Sequence, residues 1–158
     1  INHGSTGYGD NPVAFKYTFT NDWLADILVE RGWLVAFPQR RGRGGSGGVY
    51  DEGFTTDRTH YTCDAYRTLR GADRALDDIS AVVDELRKRP DVEEGPILIS
   101  GVSRGGILSV AWAGRNPDQT QGVVNFVGGW LGEGCGDAEE VNKKLFRSGA
   151  HIRVRRFG

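Results

Sequence analysis

The chain of 158 residues has no methionine, only two cysteines and only three histidines. His3, His60 and His151 are far apart in sequence, and Cys63 and Cys135 belong to no C-x-x-C or H-E-x-x-H pattern, which argues against a metal site. One even pair of cysteines decides little about redox compartment, and whether the two thiols join stays open. No apolar run approaches the ~20 residues of a membrane span, and no stretch reads as a signal peptide, so no membrane partner is expected. Charge of one sign is also lacking. A formal net charge of -1 gives no reason to expect a dedicated nucleic-acid binder or attraction to anionic membranes. Repeats and low-complexity tails are absent. Without an initiator methionine, Ile1-Asn2-His3-Gly4 reads as the last part of a strand entering a loop, so the chain is expected to begin inside a domain.

Glycine is plentiful. Its 24 residues are about twice the usual ~7%, and they gather in loops, as tight turns and close backbone approach require. Between the loops, apolar runs alternate with helical stripes. Trp23, Leu24, Ile27 and Leu28 give one face to a helix over about 21–30, and Trp33 to Phe37 reads as a buried strand closed by Pro38. Over 71–89 the residues Ala72, Ala75, Leu76, Ile79, Val82, Val83 and Leu86 recur with three-four spacing, the strongest helical signal in the protein. Further strands are expected at Ile97–Ser100 and Gly122–Val127. A last helix should start at Asp137, with Glu140 in the reciprocal capping position, and end near Gly149. Strands alternating with helices predict an α/β class fold, a mainly parallel sheet of four strands with helices on both faces.

The strand at 97–100 runs into Gly101-Val102-Ser103-Arg104-Gly105-Gly106 and then into a helix to Arg115. Gly101, Ser103 and Gly105 fit G-x-S-x-G in its required strand–turn–helix setting, where a strained turn exposes the serine hydroxyl. A serine nucleophile needs a base, a group to orient it, and donors for the developing oxyanion. The backbone N–H of Arg104 is one candidate donor. The backbone N–H of Ser5, in the His3-Gly4-Ser5-Thr6-Gly7 loop after the first strand end, is the other, with Thr6 as the fallback. His3 itself is expected to hold backbone groups rather than to act as the base.

His3-Gly4-Ser5-Thr6-Gly7, then Arg41-Gly42-Arg43-Gly44-Gly45-Ser46-Gly47, then the elbow, come in an order that resembles the α/β-hydrolase superfamily. More narrowly the chain is similar to the dienelactone hydrolase and prolyl-oligopeptidase-like branches. The resemblance implies a spatial strand order of second, first, third, fourth, and no cofactor. It also implies a serine hydrolase that cleaves an ester, lactone or peptide bond through an acyl-enzyme on Ser103. Residues 1–149 would be the central part of one such domain and 150–158 a truncated tail. The family places its acid and histidine after the nucleophile, and His151 is the one histidine that follows Ser103, in a short charged tail. This chain by itself is therefore expected to be inactive. Tyr8, Arg43, Tyr50 and Trp130 lie on loops expected to rim the site; they are the candidates for substrate contact, with packing or a rim position the expected role of each. Oligomeric state and compartment are not readable from the sequence.

Three rival readings carry less. Gly42-Arg43-Gly44-Gly45-Ser46-Gly47 also fits the G-x-G-x-x-G dinucleotide pattern, but no helix is expected to open after it and the acidic pair Asp51-Glu52 would repel phosphate. Arg40, Arg41 and Arg43 among glycines resemble an RNA-binding segment, yet no aromatics alternate through it as stacking platforms. The loop is expected instead to do structural work beside the elbow, with an arginine pairing to Asp51, Glu52 or a substrate carboxylate. A non-catalytic scaffold on a hydrolase fold is the remaining alternative.

Overall fold

The strongest apolar stripe in the sequence forms the longest helix of the computed structural model, which describes residues 1–7 and 12–152. The elements are α1 (Pro12–Lys16), α2 (Asp22–Val29), α3 (Ala65–Leu86), β1 (Ile97–Val102), α4 (Arg104–Arg115), β2 (Thr120–Phe126) and α5 (Ala138–Ser148). Short 3₁₀ turns occur at Pro117–Gln119 and Gly149–His151. Helix α3 begins well before the Gly71 expected from periodicity. Its start is fixed by Asp64, whose carboxylate accepts the Arg67 N–H at 2.7 Å and so satisfies one of the orphan donors of the first turn. The apolar stripe appears only later, where the helix passes over the core.

That core is built around α4, which packs against α3, α5 and both strands. Ala72, Ala75, Leu76, Ile79 and Val83 of α3 meet a cluster containing Ile107, Leu108, Ala111 and Trp112 of α4, with Ala138, Val141 and Leu145 of α5 closing it. Trp112, large and 2% exposed, satisfies its indole N–H on Ser80 Oγ at 3.0 Å. At the start of α5, Asp137 occupies the N-cap position but makes no side-chain hydrogen bond, so the expected capping box is not formed. Its backbone, at φ -92° and ψ 9°, lies outside the extended region a capping side chain needs.

Strands β1 and β2 pair in parallel, with Ile99 opposite Val123 and Gly101 opposite Asn125. On the other side of β1, Asn2 bridges to Gly101, donating its N–H to Ser100 O at 2.7 Å and accepting from Val102 N at 3.2 Å. Beyond it, Ile1 N donates to Ala36 O at 2.7 Å. The lateral order is thus 33–37, 1–3, β1, β2, as expected for the family. The count of strands needs correction, since the described residues form two regular strands rather than four. Residues 33–37 meet one hydrogen bond from Ile1 and no continuous ladder, and Trp33 and Leu34 remain exposed. Apolar composition supplied the strand signal, but a strand exists only with a paired neighbour.

Helices α3, α4 and α5 lie side by side on the face that carries Ile99 and Val123. On the opposite face Leu98, Val124 and Phe126 are 41%, 39% and 48% exposed. Helix α2 contains no buried residue: Leu24, Ile27 and Leu28 are half-buried, and Trp23 points to solvent. Cys63 and Cys135 form a disulfide with Cα atoms 5.2 Å apart, tying the segment before α3 to the segment before α5. Gly149 ends α5, and Ile152 packs on the core. The rest of the expected tail, 153–158, lies outside the described residues.

Candidate active site

Between the last residue of β1 and the first of α4 stands one residue, Ser103, at φ 53° and ψ -123°. A side chain rarely adopts this conformation, and it persists only where the surroundings over-determine it. They do so here. The Ser103 N–H donates to Phe126 O at 3.0 Å, and its carbonyl accepts from Gly106, Ile107 and Gly129. The two flanking glycines permit the crossing. A Cβ at Gly101 would lie 2.3 Å from Gly105 O, and one at Gly105 would lie 2.3 Å from Asn2 O and 2.5 Å from His3 O. Any side chain at either position would push the first turn of α4 off the strands.

The result is an exposed hydroxyl in front of a helix N-terminus. The Arg104 and Gly105 N–H groups belong to the first turn of α4, where no intrahelical acceptor exists. Gly4 runs alongside, since a Cβ there would stand 3.3 Å from Ser103 Cβ and 3.9 Å from its Oγ. Ser5 follows and is exposed. The fallback donor is engaged elsewhere: Thr6 N–H donates to Tyr61 Oη at 3.1 Å, and Thr6 Oγ1 also meets that hydroxyl at 2.9 Å.

His3 is 1% exposed and both ring nitrogens are occupied. Nε2 accepts from the Arg40 N–H at 3.2 Å, which leaves Nδ1 as the protonated nitrogen donating to Gly4 O at 2.7 Å. Burial, then the neighbouring Arg40 charge, lower its pKa to about 3, so the ring is neutral near neutrality. His3 holds the loop that flanks Ser103 and has no lone pair to offer the serine.

Behind the elbow lies a buried ionic cluster. Arg40 Nε pairs with Glu52 Oε1, Arg40 Nη1 donates to His3 O at 2.9 Å, and Nη2 reaches Gly4 O at 3.3 Å. Arg104 is sandwiched between the rings of Tyr61 and Trp130, with its Cζ 3.6 Å and 4.3 Å from their centroids. Its Nε donates to Trp130 O at 3.0 Å and its Nη1 to Glu52 O at 2.8 Å. Burial alone would raise the Glu52 pKa, but Arg40 and then Arg104 hold the carboxyl below its ordinary value. The same carboxylate keeps the Arg40 pKa above its ordinary value against the opposing effect of burial.

The other residues singled out from sequence fall as follows. Tyr50 and Trp130, expected on the rim, are 3% and 2% exposed; Tyr50 Oη meets Tyr61 Oη at 3.2 Å, and the Trp130 indole donates to Thr68. Arg43 is 5% exposed above the Tyr50 ring, and its Nε and Nη1 have no hydrogen-bond partner among the described residues. Tyr8 lies outside the described residues. His151 is exposed on the Gly149–His151 turn, which packs against Val110 and Gly114 in the second half of α4, whereas Ser103 precedes the first half. The structure brings Ser103, Arg104 and Gly4 together, with Ser5 next in chain, and leaves His151 apart. Among the described residues no histidine or carboxylate is hydrogen-bonded to Ser103 Oγ, and no three His, Cys, Asp or Glu side chains could hold a metal ion.

Tyr61 is a supporting residue that the sequence does not announce. The sequence offers Glu52 as a partner for an arginine of the glycine-rich loop without saying which, and the structure selects Arg40.

A serine raised at the carboxyl end of a parallel strand, with a helix N-terminus behind it, is the arrangement of the α/β-hydrolase class. Within that class the chain belongs to the hydrolase family described as serine aminopeptidase, S33, which matches residues 16–145. The match covers the elbow and the arginine–glycine loop; residues 1–7 lie outside it. No curated protein and no solved structure matches the chain.

Proposed function

We propose that this hydrolase acts through an acyl-enzyme on Ser103, with a small ester, a lactone or a peptide as substrate. The observation that carries the reading is the strained backbone of Ser103, which holds at the mouth of α4 a hydroxyl with no hydrogen-bond partner among the described residues. Strain at such a turn is stable only at a cost of roughly 1–3 kcal/mol, so a functional reason is expected.

In the proposed reaction Ser103 Oγ attacks the substrate carbonyl carbon and its proton passes to a general base. The carbonyl oxygen becomes an oxyanion, received by the backbone N–H groups of Arg104 and Ser5 together with the positive end of α4. Collapse expels the alcohol or amine, which takes the proton, and leaves the acyl group on Oγ. Water then adds by the reverse sequence and releases the acid. We take the base and its orienting acid from outside the described residues: both nitrogens of His3 are engaged, His60 is exposed with its Nδ1 on Thr59 Oγ1, and His151 lies along α4 away from the elbow. Arg43, with two unpaired buried nitrogens, is our candidate for a substrate oxygen. The dienelactone hydrolase and prolyl-oligopeptidase-like branches remain the finer reading of the elbow sequence.

The test is hydrolysis of an activated ester by the full-length protein. Ser103→Ala should lower kcat by at least about 10⁴-fold, as for other serine hydrolases stripped of their nucleophile. Residues 1–158 alone should show negligible turnover. Full retention of activity in Ser103→Ala would overturn the proposal. The scaffold alternative draws on the absence of a base beside Ser103 among the described residues, and it requires the full-length protein to be inactive as well.

A further inference from the structure

Away from the elbow, the loop after Asp51 and the first half of α3 enclose a groove of about 370 Å³. Its walls carry Arg58, Arg67, Arg70 and Arg74, and Asp51 is its one carboxylate. Residues 67, 70 and 74 fall on one face of α3 by the three-four rule, so their guanidinium groups share the groove rather than spreading around the helix. Arg58 comes from the opposite wall. It is held there by a left-handed backbone (φ 61°), by a hydrogen bond to Tyr50 O and by stacking over Phe54, 5.2 Å from its centroid.

The floor is fixed by two glycines. A Cβ at Gly71 would lie 2.3 Å from Glu52 C, and one at Gly53 (φ 86°) would lie 2.6 Å from Thr68 Cα. The loop is therefore pressed against α3 with no room to shift, and the arginines are gathered before any ligand arrives. The nearby acids are turned to other work. Asp57 accepts from Thr55 and Thr59, Asp64 caps α3, and Asp73 pairs with Arg115 at 2.8 Å.

Inside the groove the positive charge is under-compensated. Asp51 stands 3.7 Å from Arg58 and 3.6 Å from Arg74, distances of ion pairing without a close hydrogen bond. Among the described residues the side-chain hydrogen bonds of Arg67 and Arg70 go to neutral oxygens, Thr56 Oγ1 at 2.9 Å and Tyr66 Oη at 3.2 Å. Asp73, paired with Arg115, acts on Arg70 only as a nearby charge. Half-exposed pairs of this kind are worth only about 0–1 kcal/mol, so a multiply charged oxyanion can take over these guanidinium groups at little cost. Planar guanidinium forks suit phosphoryl oxygens better than ammonium groups would.

We propose that this groove is a binding site for a small molecule carrying a phosphoryl or comparable multiply charged oxyanion group. It is separate from the serine site and does not depend on the hydrolase reading. The connection between the two is physical: Arg58 stacks on Phe54, Phe54 stacks on Tyr61 at 4.5 Å, and Tyr61 stacks on Arg104 at 3.6 Å.

Calorimetric titration of the intact protein with inorganic pyrophosphate tests the site, with sodium chloride of equal ionic strength as the control. Saturable binding is expected with pyrophosphate and not with chloride. Arg67→Gln combined with Arg70→Gln should weaken it about tenfold, while leaving the Asp51 pairs intact. Asp51→Asn keeps an acceptor for the Gly53 and Phe54 N–H groups and should strengthen binding, because it removes the competing charge. Absence of saturable binding, binding unchanged in the double arginine variant, or weaker binding in Asp51→Asn would each overturn the proposal.

Discussion

Arg104 Nη1 donates to the carbonyl oxygen of Glu52 at 2.8 Å and stands 3.6 Å from Glu52 Oε2, joining the elbow to the far end of the arginine–glycine loop. The residue whose backbone N–H follows Ser103 is thus anchored by its own side chain. Arg40 approaches the same carboxylate from the other side and holds the carbonyls of His3 and Gly4. One buried carboxylate therefore positions both loops that flank the serine.

Removing that charge should be costly. Glu52→Gln leaves two buried guanidinium groups facing a neutral amide, a change of the kind that destabilises by about 3–5 kcal/mol. Urea denaturation followed by circular dichroism measures it. A loss under about 1 kcal/mol would mean the cluster does not hold the loops.

Gly105→Ala tests the close approach at the elbow. The added methyl would meet two backbone carbonyls, of Asn2 and His3, neither of which can swing aside as a side chain can. Overpacking typically costs 1–3 kcal/mol, occasionally more, and here the displacement falls on the turn that holds Ser103. We expect a lower Tm and reduced reactivity of Ser103 together; an unaffected Tm would contradict the packing described.

His3 makes stability depend on pH in a defined window. Its folded pKa of about 3 is below the ordinary 6.5, so the unfolded chain binds a proton that the folded chain refuses. The contribution is complete above pH 6.5 and falls as pH drops toward 3, by up to about 1.4 kcal/mol per unit. Glu52 acts in the same direction, but only below the ordinary carboxylate value of 4.5. The buried Ile1 amine, lowered to about 6, contributes in the same direction between pH 8 and 6. Unfolding free energy is therefore measured from pH 6 to pH 5, where it should decline and His3→Gln should flatten the decline. A slope that His3→Gln leaves unchanged would assign the effect to another group.

Reduction of Cys63–Cys135 should also destabilise. The bond closes a separation of 72 residues, for which loop entropy alone gives about 4 kcal/mol. Dithiothreitol and the double variant Cys63→Ser, Cys135→Ser should lower Tm to a similar extent, measured by scanning fluorimetry. No change under reduction would mean the two cysteines are not joined in the protein.

The elbow was legible because everything it needs is local: an apolar run, a serine between glycines, and a helix behind. The stripe on α3 was legible for the same reason. Elements defined by a single partner were not. Asp64 starts α3 through one hydrogen bond that no periodicity announces, and Trp33–Phe37 lacks the ladder its composition suggests. The disulfide joins residues whose separation gives no clue to their meeting, so it stayed open until the fold was seen.

The site shows the same division. Ser103, Arg104 and the loop at Gly4 and Ser5 could be placed from motif order. A pairing of a loop arginine with Asp51 or Glu52 was legible too, and Arg40 with Glu52 is the pair that forms. The stacking of Arg104 between Tyr61 and Trp130 was not, because no local pattern links residues so far apart in sequence. For Tyr50 and Trp130 the sequence left packing and a rim position open, and both are packed in the buried support.

The central claim is that Ser103 is a nucleophile, and covalent labelling tests it most directly. Full-length protein treated with a fluorophosphonate should gain one phosphonyl group, with fluoride leaving, and peptide mass spectrometry should place it on Ser103. Ser103→Ala should gain none. An unlabelled wild-type protein, or a label on another residue that persists in Ser103→Ala, would contradict the account.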